Sequence, residues 1–337
     1  MSTTPSARTK RVSLQDIATQ VGVTKMTVSR YMRNPDSVAQ ATRQKIAEAI
    51  DTLGYIQNRA PSMLSRASSK AIGIVIPSLS NQVFASLVQG IESITGERGY
   101  DTLLAHTGYD AATEEEKIAT LLSYQVDGLI LTETHHTPRT LQMLAQAGIP
   151  VVEAMELPPA PIDMAVGLDH RQAAYTAVNR LISSGCEHIA YLAARLDTRT
   201  LLRRDGYHAA INEAGLTAMV IETSASSSFS VGRDLMNESL AKYGTTDGIF
   251  CTNDDLAVGA MLCCLDYGLQ VPQDIRIIGY NGLDIGQTVT PALTSVRTPR
   301  FDIGQHSARL LLDTLAGLPI KQKTIDVGFD FTAGDSA

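Results

Sequence analysis

Near its amino end the chain reads Val12-Ser-Leu-Gln-Asp-Ile-Ala-Thr-Gln-Val-Gly-Val-Thr-Lys-Met-Thr-Val-Ser-Arg30. Apolar residues recur at helical spacing from Leu14 onward, which predicts a short helix with Ser13 as its N-cap. Gly22 ends that helix, because glycine adopts a left-handed turn at little cost. Thr24 then caps a second helix. Two short helices joined by a tight glycine turn indicate a helix-turn-helix motif.

The second helix of this motif is predicted to read DNA. Val28 is its apolar residue and should pack on the first helix, while a third helix follows over residues 42–53. Arg30 suits guanine because its fork reaches two acceptors, and Met26 suits a thymine methyl group. The residues predicted here to contact DNA are Ser13, Thr24, Lys25, Met26, Thr27, Ser29 and Arg30. The alternative is that the three helices form a bundle for protein interaction.

The charge distribution favours DNA over a protein-interaction bundle. Residues 1–70 hold 11 Lys/Arg and 4 Asp/Glu, whereas the whole chain holds 28 and 35 and has a net charge of −7. A basic first part before an acidic remainder indicates that the first part meets a polyanion. The four cysteines are too irregularly spaced for a disulfide framework or a zinc site. No apolar run is long enough for a membrane span or a secretory signal, so we expect a cytoplasmic protein without membrane contact.

From residue 71 onward, short apolar runs such as Ile72-Gly-Ile-Val-Ile76 alternate with amphipathic stretches. This alternation predicts an α/β fold with parallel sheets covered by helices. In such folds ligands bind beyond the carboxyl ends of the strands. The polar loops predicted at those ends are 77–81, 132–133, 252–255 and 280–284. Asn253 and Asp254 also suit a helix N-cap, so a ligand contact and a cap both remain open for them.

The quoted stretch and Leu53-Gly-Tyr-Ile-Gln-Asn-Arg-Ala60 resemble the head of the LacI/GalR family of transcriptional repressors. The resemblance implies a DNA-binding domain at 1–57, a hinge helix and linker at 58–70, and an effector-binding and dimerisation domain at 71–337. It also implies that the hinge helix enters the minor groove, where an apolar wedge kinks the duplex. The hinge residues expected on DNA are Asn58, Arg59 and Leu64, the last as the wedge. Gln57 and Pro61 depart from the family pattern there.

The remainder of the chain resembles the family's effector domain, which is similar to periplasmic sugar-binding proteins. The strings that carry this resemblance include Asp247-Gly-Ile-Phe-Cys-Thr-Asn-Asp-Asp-Leu-Ala-Val-Gly259. It implies two lobes that the chain crosses three times, one of residues 71–168 and 298–325, the other of residues 169–297 and 326–337. The effector positions carried over from the family are Asn81, Phe84, Thr132, Asp169, Arg203, Asn253, Asn281 and Arg300.

The charge of the ligand is predicted from one departure from the family pattern and from two arginines. Many members of the family have an aspartate where this chain has Asn281. The absence of that carboxylate, together with Arg203 and Arg300, favours an anion, because guanidinium groups clamp carboxylates and phosphates. A salt bridge between the lobes is the alternative role of Arg300.

Several longer strings narrow the resemblance to one branch of the family. They include Thr24-Lys-Met-Thr-Val-Ser-Arg30, Ser80-Asn-Gln-Val-Phe84 and Thr298-Pro-Arg-Phe-Asp-Ile-Gly304. Together they are similar to the gluconate-utilisation and L-idonate repressors. The resemblance implies a sugar acid as effector: gluconate, idonate, ketogluconate or a phosphorylated relative.

The sequence therefore predicts a homodimeric repressor that reads a palindromic operator under the control of a sugar acid, with no cofactor and no metal. Whether the sugar acid releases the repressor or acts as a co-repressor stays open. The carboxyl end has no leucine heptads, which favours a dimer over a tetramer. One alternative is a sugar-acid-binding protein without a DNA function. The other is an enzyme with Asp254, Asp255 or Glu133 as general base, although no nucleophile, metal or cofactor motif accompanies these acids.

Overall fold

The computed structural model describes residues 11–57 and 68–337, and the chain divides between Ala67 and Ser68 into two units. The predicted hinge helix, including Asn58, Arg59, Pro61 and Leu64, lies outside the described residues. In the described ranges, none of the helices combines the length and the apolar character that crossing a bilayer requires.

Residues 11–57 of the first unit form three α-helices, at the positions that the sequence predicted. They are α1 (Leu14–Val21), α2 (Lys25–Arg33) and α3 (Gln40–Leu53). The Asp16 carboxylate accepts from the Ser13 amide and hydroxyl, at 2.8 and 2.7 Å, which fixes the start of α1. Gly22 has a φ of 74° and turns the chain into α2. Ile17, Val28 and Ile46, one from each helix, are fully buried together and form the centre of this core.

The second unit contains two sheets that lie on separate stretches of the chain. The first sheet has the order β11-β5-β4-β3-β1-β2 and is parallel throughout. Its strands are β1 (Ala71–Ile76), β2 (Asp101–His106), β3 (Gly128–Leu131), β4 (Val151–Glu156), β5 (Met164–Leu168) and β11 (Thr324–Asp326). The parallel sheet predicted from the alternating apolar runs is thereby confirmed.

The second sheet has the order β12-β10-β9-β8-β6-β7, and only its edge strand β12 runs antiparallel, to β10. Its strands are β6 (Ile189–Ala194), β7 (Met219–Thr223), β8 (Gly248–Cys251), β9 (Arg276–Asn281), β10 (Thr294–Arg297) and β12 (Asp330–Phe331). The chain crosses between the sheets after β5, after β10 and after β11. Loops from the carboxyl ends of both sheets can therefore meet.

Helices connect the strands and cover the faces of both sheets. They are α4 (Gln82–Glu97), α5 (Ala111–Ser123), α6 (Pro138–Ala147), α7 (His170–Ser183), α8 (Thr198–Glu213), α9 (Phe229–Tyr243), α10 (Asp254–Asp266), α11 (Asp284–Thr288) and α12 (Arg300–Leu315). The cysteines Cys186, Cys251, Cys263 and Cys264 are free and buried among these elements. They pack as small apolar residues, as the sequence predicted.

Helix α12, which follows the second crossing between the sheets, packs closely on α4. A Cβ atom added to Gly90 would lie 2.1 Å from the carbonyl oxygen of Phe301, and one added to Gly304 would lie 2.2 Å from that of Leu87. Each helix therefore presents a glycine to the backbone of the other. No side chain fits between them without moving the helices apart.

We expect the substitution Gly90→Ala to destabilise the second unit by about 1–3 kcal/mol, because its methyl group must displace backbone rather than a flexible side chain. Gly96→Ala is the matched control: Gly96 lies in the same helix with open space around its added Cβ atom. Urea unfolding of both variants checks this. An equal effect of the two substitutions would contradict the close contact.

Candidate functional site

The second helix of the first unit presents its predicted DNA-contacting side chains to the outside. Val28 is fully buried, whereas Lys25, Met26 and Arg30 are exposed, Met26 by 65%. The helix thus offers a cationic and apolar face, which is the chemistry that base edges in the major groove require.

The hydroxyl groups predicted to contact DNA also stabilise the helix starts. The Thr24 hydroxyl accepts from the Thr27 amide at 3.2 Å and lies 3.0 Å from the Thr27 hydroxyl. The Ser13 hydroxyl is occupied by Asp16. Ser29 is half-buried beside Arg33, whose Nε donates to its carbonyl at 3.4 Å. Ser13, Thr24 and Thr27 lie at or near the amino ends of α1 and α2, where backbone N–H groups favour phosphate, whereas Ser29 lies in the middle of α2.

A cavity of about 710 Å³ lies between the loops at the carboxyl ends of the two sheets. The first sheet contributes loops that follow β1 and β2, and the second contributes loops that follow β6, β7, β8 and β9. Its lining residues are Pro77, Ser78, Leu79, Ser80, Asn81, Gln82, Val83, His106, Gly108, Tyr109, Arg195, Ser226, Ser227, Phe229, Asn253, Asp255, Asn281, Leu283 and Ile285. The position is the one expected for a ligand in parallel α/β folds.

Three of the predicted effector residues line this cavity, and all three are asparagines. The Asn281 amide donates to the side-chain oxygen of Asn253 at 2.7 Å, and the Asn253 amide donates to the Ser227 hydroxyl at 3.1 Å. On the opposite sheet, the Asn81 amide donates to the Tyr109 hydroxyl at 3.3 Å. Amides and hydroxyls of this kind both donate and accept, which suits a polyol.

Three other predicted effector residues have structural positions beside the cavity. Phe84 is buried in the core of the first sheet. The Thr132 hydroxyl is buried and donates to the Val75 carbonyl at 3.0 Å. Asp169 caps α7 by accepting from the Gln172 amide at 2.9 Å. None of the three lines the cavity.

Arg203 and Arg300, the predicted anion clamp, do not line the cavity either. Arg203 is 5% exposed, stacks 3.8 Å above the ring of Tyr280 and donates to the Thr252 carbonyl at 2.6 Å. Arg300 donates to the Asn281 carbonyl and, at 3.0 Å, to the Thr298 hydroxyl. Burial lowers the pKa of Arg300, although the charge of Asp254 opposes the shift.

Both guanidinium groups are therefore engaged by the protein itself. In the described part of the chain neither has a carboxylate within ion-pair distance, so the alternative of a salt bridge at Arg300 is not formed. Each retains one buried Nε without a partner. The sequence alone indicates the charge of these residues but not the carbonyl groups that surround them.

His170 lies next to Arg203 and is fully buried. Its ring nitrogens lie 2.7 Å from the Tyr280 hydroxyl and 3.1 Å from the Met155 carbonyl. Burial, assisted by the charges of Arg203 and Arg199, holds the pKa of His170 well below its usual value. This histidine is therefore neutral at physiological pH and joins β4 of the first sheet to β9 of the second.

Arg195, Tyr109 and Arg199 were not among the site residues predicted from the sequence. Arg195 and Tyr109 line the cavity and meet across it, with a hydrogen bond of 2.7 Å from the guanidinium to the phenol oxygen. Arg199 is buried and donates to the Thr132 carbonyl and the Glu133 carboxylate at 2.6 and 2.7 Å. The signal was available for Arg195, because it directly follows the apolar run of β6.

The acids considered as catalytic bases are engaged in hydrogen bonds. Glu133 pairs with Arg199, which opposes the rise that burial causes in the pKa of Glu133. Asp254 is fully buried, accepts from the Ser295 hydroxyl and the Leu283 amide at 2.5 Å each, and has its pKa raised to about 7 by burial. Asp255 accepts from the Ser227 hydroxyl at 2.7 Å. Asp254 therefore has a structural role, but not the one the sequence left open: its carboxylate holds Leu283 and Ser295, and neither it nor Asn253 makes a side-chain cap on α10.

His135 and His136 point to different partners. His136 is buried between Glu114, 2.8 Å away, and Glu153, 3.7 Å away, whereas His135 lies 3.3 Å from the Thr198 hydroxyl. Burial opposes protonation of His136, but the two carboxylates outweigh it and raise its pKa to about 9. Among residues 11–57 and 68–337 no group of three or more His, Cys, Asp and Glu residues is arranged to hold a metal ion.

Two family models match the chain. Residues 13–58 match the model of bacterial regulatory proteins of the lacI family, and residues 69–327 match that of periplasmic binding proteins and the sugar-binding domain of the LacI family. The chain is 51% identical to the HTH-type transcriptional regulator GntR of Escherichia coli strain K12, over 97% of this chain and 99% of that protein. It is 46% identical to the regulator IdnR of the same strain, over 98% and 99%.

A solved structure supports the same assignment. It is a transcriptional regulator of the LacI family from Silicibacter pomeroyi, which matches with a TM-score of 0.91 and 28% identity over 96% of this chain and 99% of that one. The three-helix fold of the first unit and the two-sheet fold of the second, each taken by itself, therefore resemble those of a solved regulator.

We expect His136→Gln to lower the free energy of unfolding by roughly 3 kcal/mol at pH 6, because it leaves two buried carboxylates without a cation. A folded pKa of about 9 lies above the unfolded value of 6.5, so the contribution of His136 is full below pH 6.5 and is lost as the pH rises through 9. Urea unfolding at pH 6 and pH 9.5 measures the difference. His188→Gln is the control, because His188 is half-exposed. If the difference in free energy of unfolding between wild type and His136→Gln is the same at both pH values, the ion pair is contradicted.

Proposed function

The chain belongs to the LacI family of bacterial regulatory proteins, and from this membership we propose what it binds and how it responds. It is a DNA-binding transcriptional regulator and not an enzyme. We propose that it represses genes for sugar-acid catabolism by binding a palindromic operator in the cytoplasm. A sugar acid of the gluconate or idonate type, bound in the cavity of the second unit, releases it from that operator.

The proposed class of ligand rests on the residues that line the cavity. Asn281 places a neutral amide where an aspartate would repel an anion, and the one carboxylate of the described lining, Asp255, accepts from the Ser227 hydroxyl. Asn253 and serines from both sheets also line the cavity. A lining rich in amides and hydroxyls satisfies the several hydroxyl groups of an acyclic sugar acid. The similarity to GntR and IdnR of Escherichia coli supports the same class of metabolite.

The proposed control acts through the two halves of the second unit. Loops from both sheets line one cavity, so a ligand held there contacts both halves at once. A ligand shifts a conformational equilibrium only by binding the two states differently. Contacts that form in one relative position of the halves provide that difference, and coupling of this type amounts to about 1–3 kcal/mol.

We propose a homodimer as the functional form, since each recognition helix reads only half of a palindrome. An apolar groove of about 650 Å³ beside α10 supports this assignment. Leu265 in this groove is 68% exposed and Leu262 is 44% exposed. Exposed leucines in a groove of this size are typical of a surface that a second copy covers.

A gel-shift assay on promoter fragments of gluconate and idonate operons tests the proposed function. We expect the full-length protein to bind one fragment in preference to random duplex, and gluconate, idonate, ketogluconate or a phosphorylated relative to weaken that binding. Glucose serves as the neutral comparison ligand. Failure to prefer any fragment, or release by glucose as effectively as by the acids, would contradict the proposal.

We expect Arg30→Ala to abolish preference for the operator, with a loss of roughly 1–3 kcal/mol of discrimination per base pair contacted. Sugar-acid binding should be unchanged, because Arg30 lies in the first unit. Lys45→Ala is the control, because it removes one positive charge from an exposed position of α3. Fluorescence anisotropy with operator and random duplex measures both; retention of preference by Arg30→Ala would show that α2 does not read the bases.

A further inference from the structure

We propose that Arg195 anchors the acidic group of the ligand and that Tyr109, from the opposite sheet, holds its guanidinium in place. The inference rests on the proposed function, since it takes the ligand to be a sugar acid. Arg195 lines the cavity, whereas Arg203 and Arg300, which the sequence predicted as effector residues, do not.

Arg195 is the one arginine among the described residues that line the cavity, and lysine is absent from that lining. Its guanidinium lies 4.2 Å from the centre of the Tyr109 ring and donates one hydrogen bond, to the Tyr109 hydroxyl. Within the described residues it forms no ion pair with a carboxylate. An arginine has five N–H donors, so most of its capacity to bind a carboxylate or phosphate stays available.

The other arginines near the cavity do not line it and make contacts within the protein. Arg199 is paired with Glu133, while Arg203 and Arg300 donate to backbone carbonyls. Arg199 is neutralised by a carboxylate, whereas Arg203 and Arg300 keep their charge but do not line the cavity. Among the described residues, Arg195 is the arginine that lines the cavity without a carboxylate partner.

The Tyr109 hydroxyl is prepared to donate to the same anion. It accepts hydrogen bonds from Arg195 and from Asn81, at 2.7 and 3.3 Å. A phenol has two acceptor positions and one hydrogen, so its own hydrogen is left for an oxygen outside this trio. Burial raises the pKa of Tyr109, which keeps that hydrogen in place at physiological pH. A carboxylate beside Arg195 can accept from both groups.

The backbone at these residues supports a functional role. Tyr109, Arg195 and Leu196 have φ values of 65°, 73° and 54°, a left-handed conformation that a Cβ atom disfavours. Asn281, across the cavity, has a φ of 104°. Such conformations persist where the surrounding structure holds a side chain in a required position, and they concentrate at ligand sites.

The arrangement also connects recognition with the movement of the lobes. Tyr109 follows β2 of the first sheet and Arg195 follows β6 of the second. An anion bound by both would join the sheets, whereas a neutral polyol would lack the charge that holds it to Arg195. The remaining hydroxyls of the ligand would reach Asn253, Asn281 and Asp255, which is the one carboxylate of the described lining.

The test measures binding of gluconate and of sorbitol, its neutral counterpart, to the full-length protein by calorimetry. Arg195→Asn removes the charge, and asparagine tolerates the left-handed backbone. Arg195→Lys keeps the charge without the fork, and Tyr109→Phe keeps the ring without the hydroxyl. Arg204→Gln is the control, because Arg204 pairs with Glu222 outside the cavity. Operator binding without ligand reports that each variant is folded.

We expect Arg195→Asn to weaken gluconate binding by roughly 10- to 100-fold and sorbitol binding by less than about threefold. Arg195→Lys and Tyr109→Phe should each lose roughly tenfold for gluconate, and Arg204→Gln should match wild type. If wild type binds gluconate and Arg195→Asn binds it equally well, the anchor is overturned while the proposed function stands. If Arg195→Asn does not fold, undiminished binding by both Arg195→Lys and Tyr109→Phe overturns it instead. If wild type binds none of the sugar acids, the proposed function fails and the anchor with it.

Discussion

The buried guanidinium of Arg199 joins the two halves of the second unit. It lies at the start of α8, beyond the second sheet, yet it donates to the Thr132 carbonyl and the Glu133 carboxylate beyond the first. Removing the side chain of Arg199 or of Glu133 would leave a buried charge without its counter-charge. That loss destabilises the fold by more than the intact pair stabilises it. The Arg199 contact acts together with the hydrogen bonds of Arg195 to Tyr109 and of His170 to Tyr280 and Met155, which also join the two halves around the cavity. A ligand in the cavity adds its own contacts between the same halves, and so acts on the equilibrium that Arg199 already biases.

Local sequence signals were sufficient for the elements that bury an apolar face. Gly22 between two helical patterns predicted the turn between α1 and α2, and Val28 is buried as its spacing required. The continuous apolar runs predicted the central strands because parallel strands are covered on both faces. Strands β5, β10, β11 and β12 were not identified. Thr294–Arg297 and Asp330–Phe331 are short and partly polar, and they become strands through pairing with distant segments.

The candidate site was only partly predictable, for the same physical reason. Asn81, Asn253 and Asn281 follow apolar runs, and the rule that ligands bind at the carboxyl ends of strands was enough to place them. The same rule does not show which arginines line the cavity, because that depends on which guanidinium groups meet a carbonyl or a carboxylate after folding. Arg203 meets the Thr252 carbonyl and the ring of Tyr280, which are 49 and 77 positions away in the chain. Such partners leave no trace in local spacing.

Operator binding and ligand binding are thermodynamically linked in this account, so each must change the other by the same factor. The most direct test is calorimetric titration of gluconate into the full-length protein, alone and saturated with operator. The account predicts weaker gluconate binding to the operator complex, by about 5- to 150-fold, matching the loss of operator affinity that gluconate causes. Equal gluconate affinity in both titrations, for a protein that binds both partners, would contradict it.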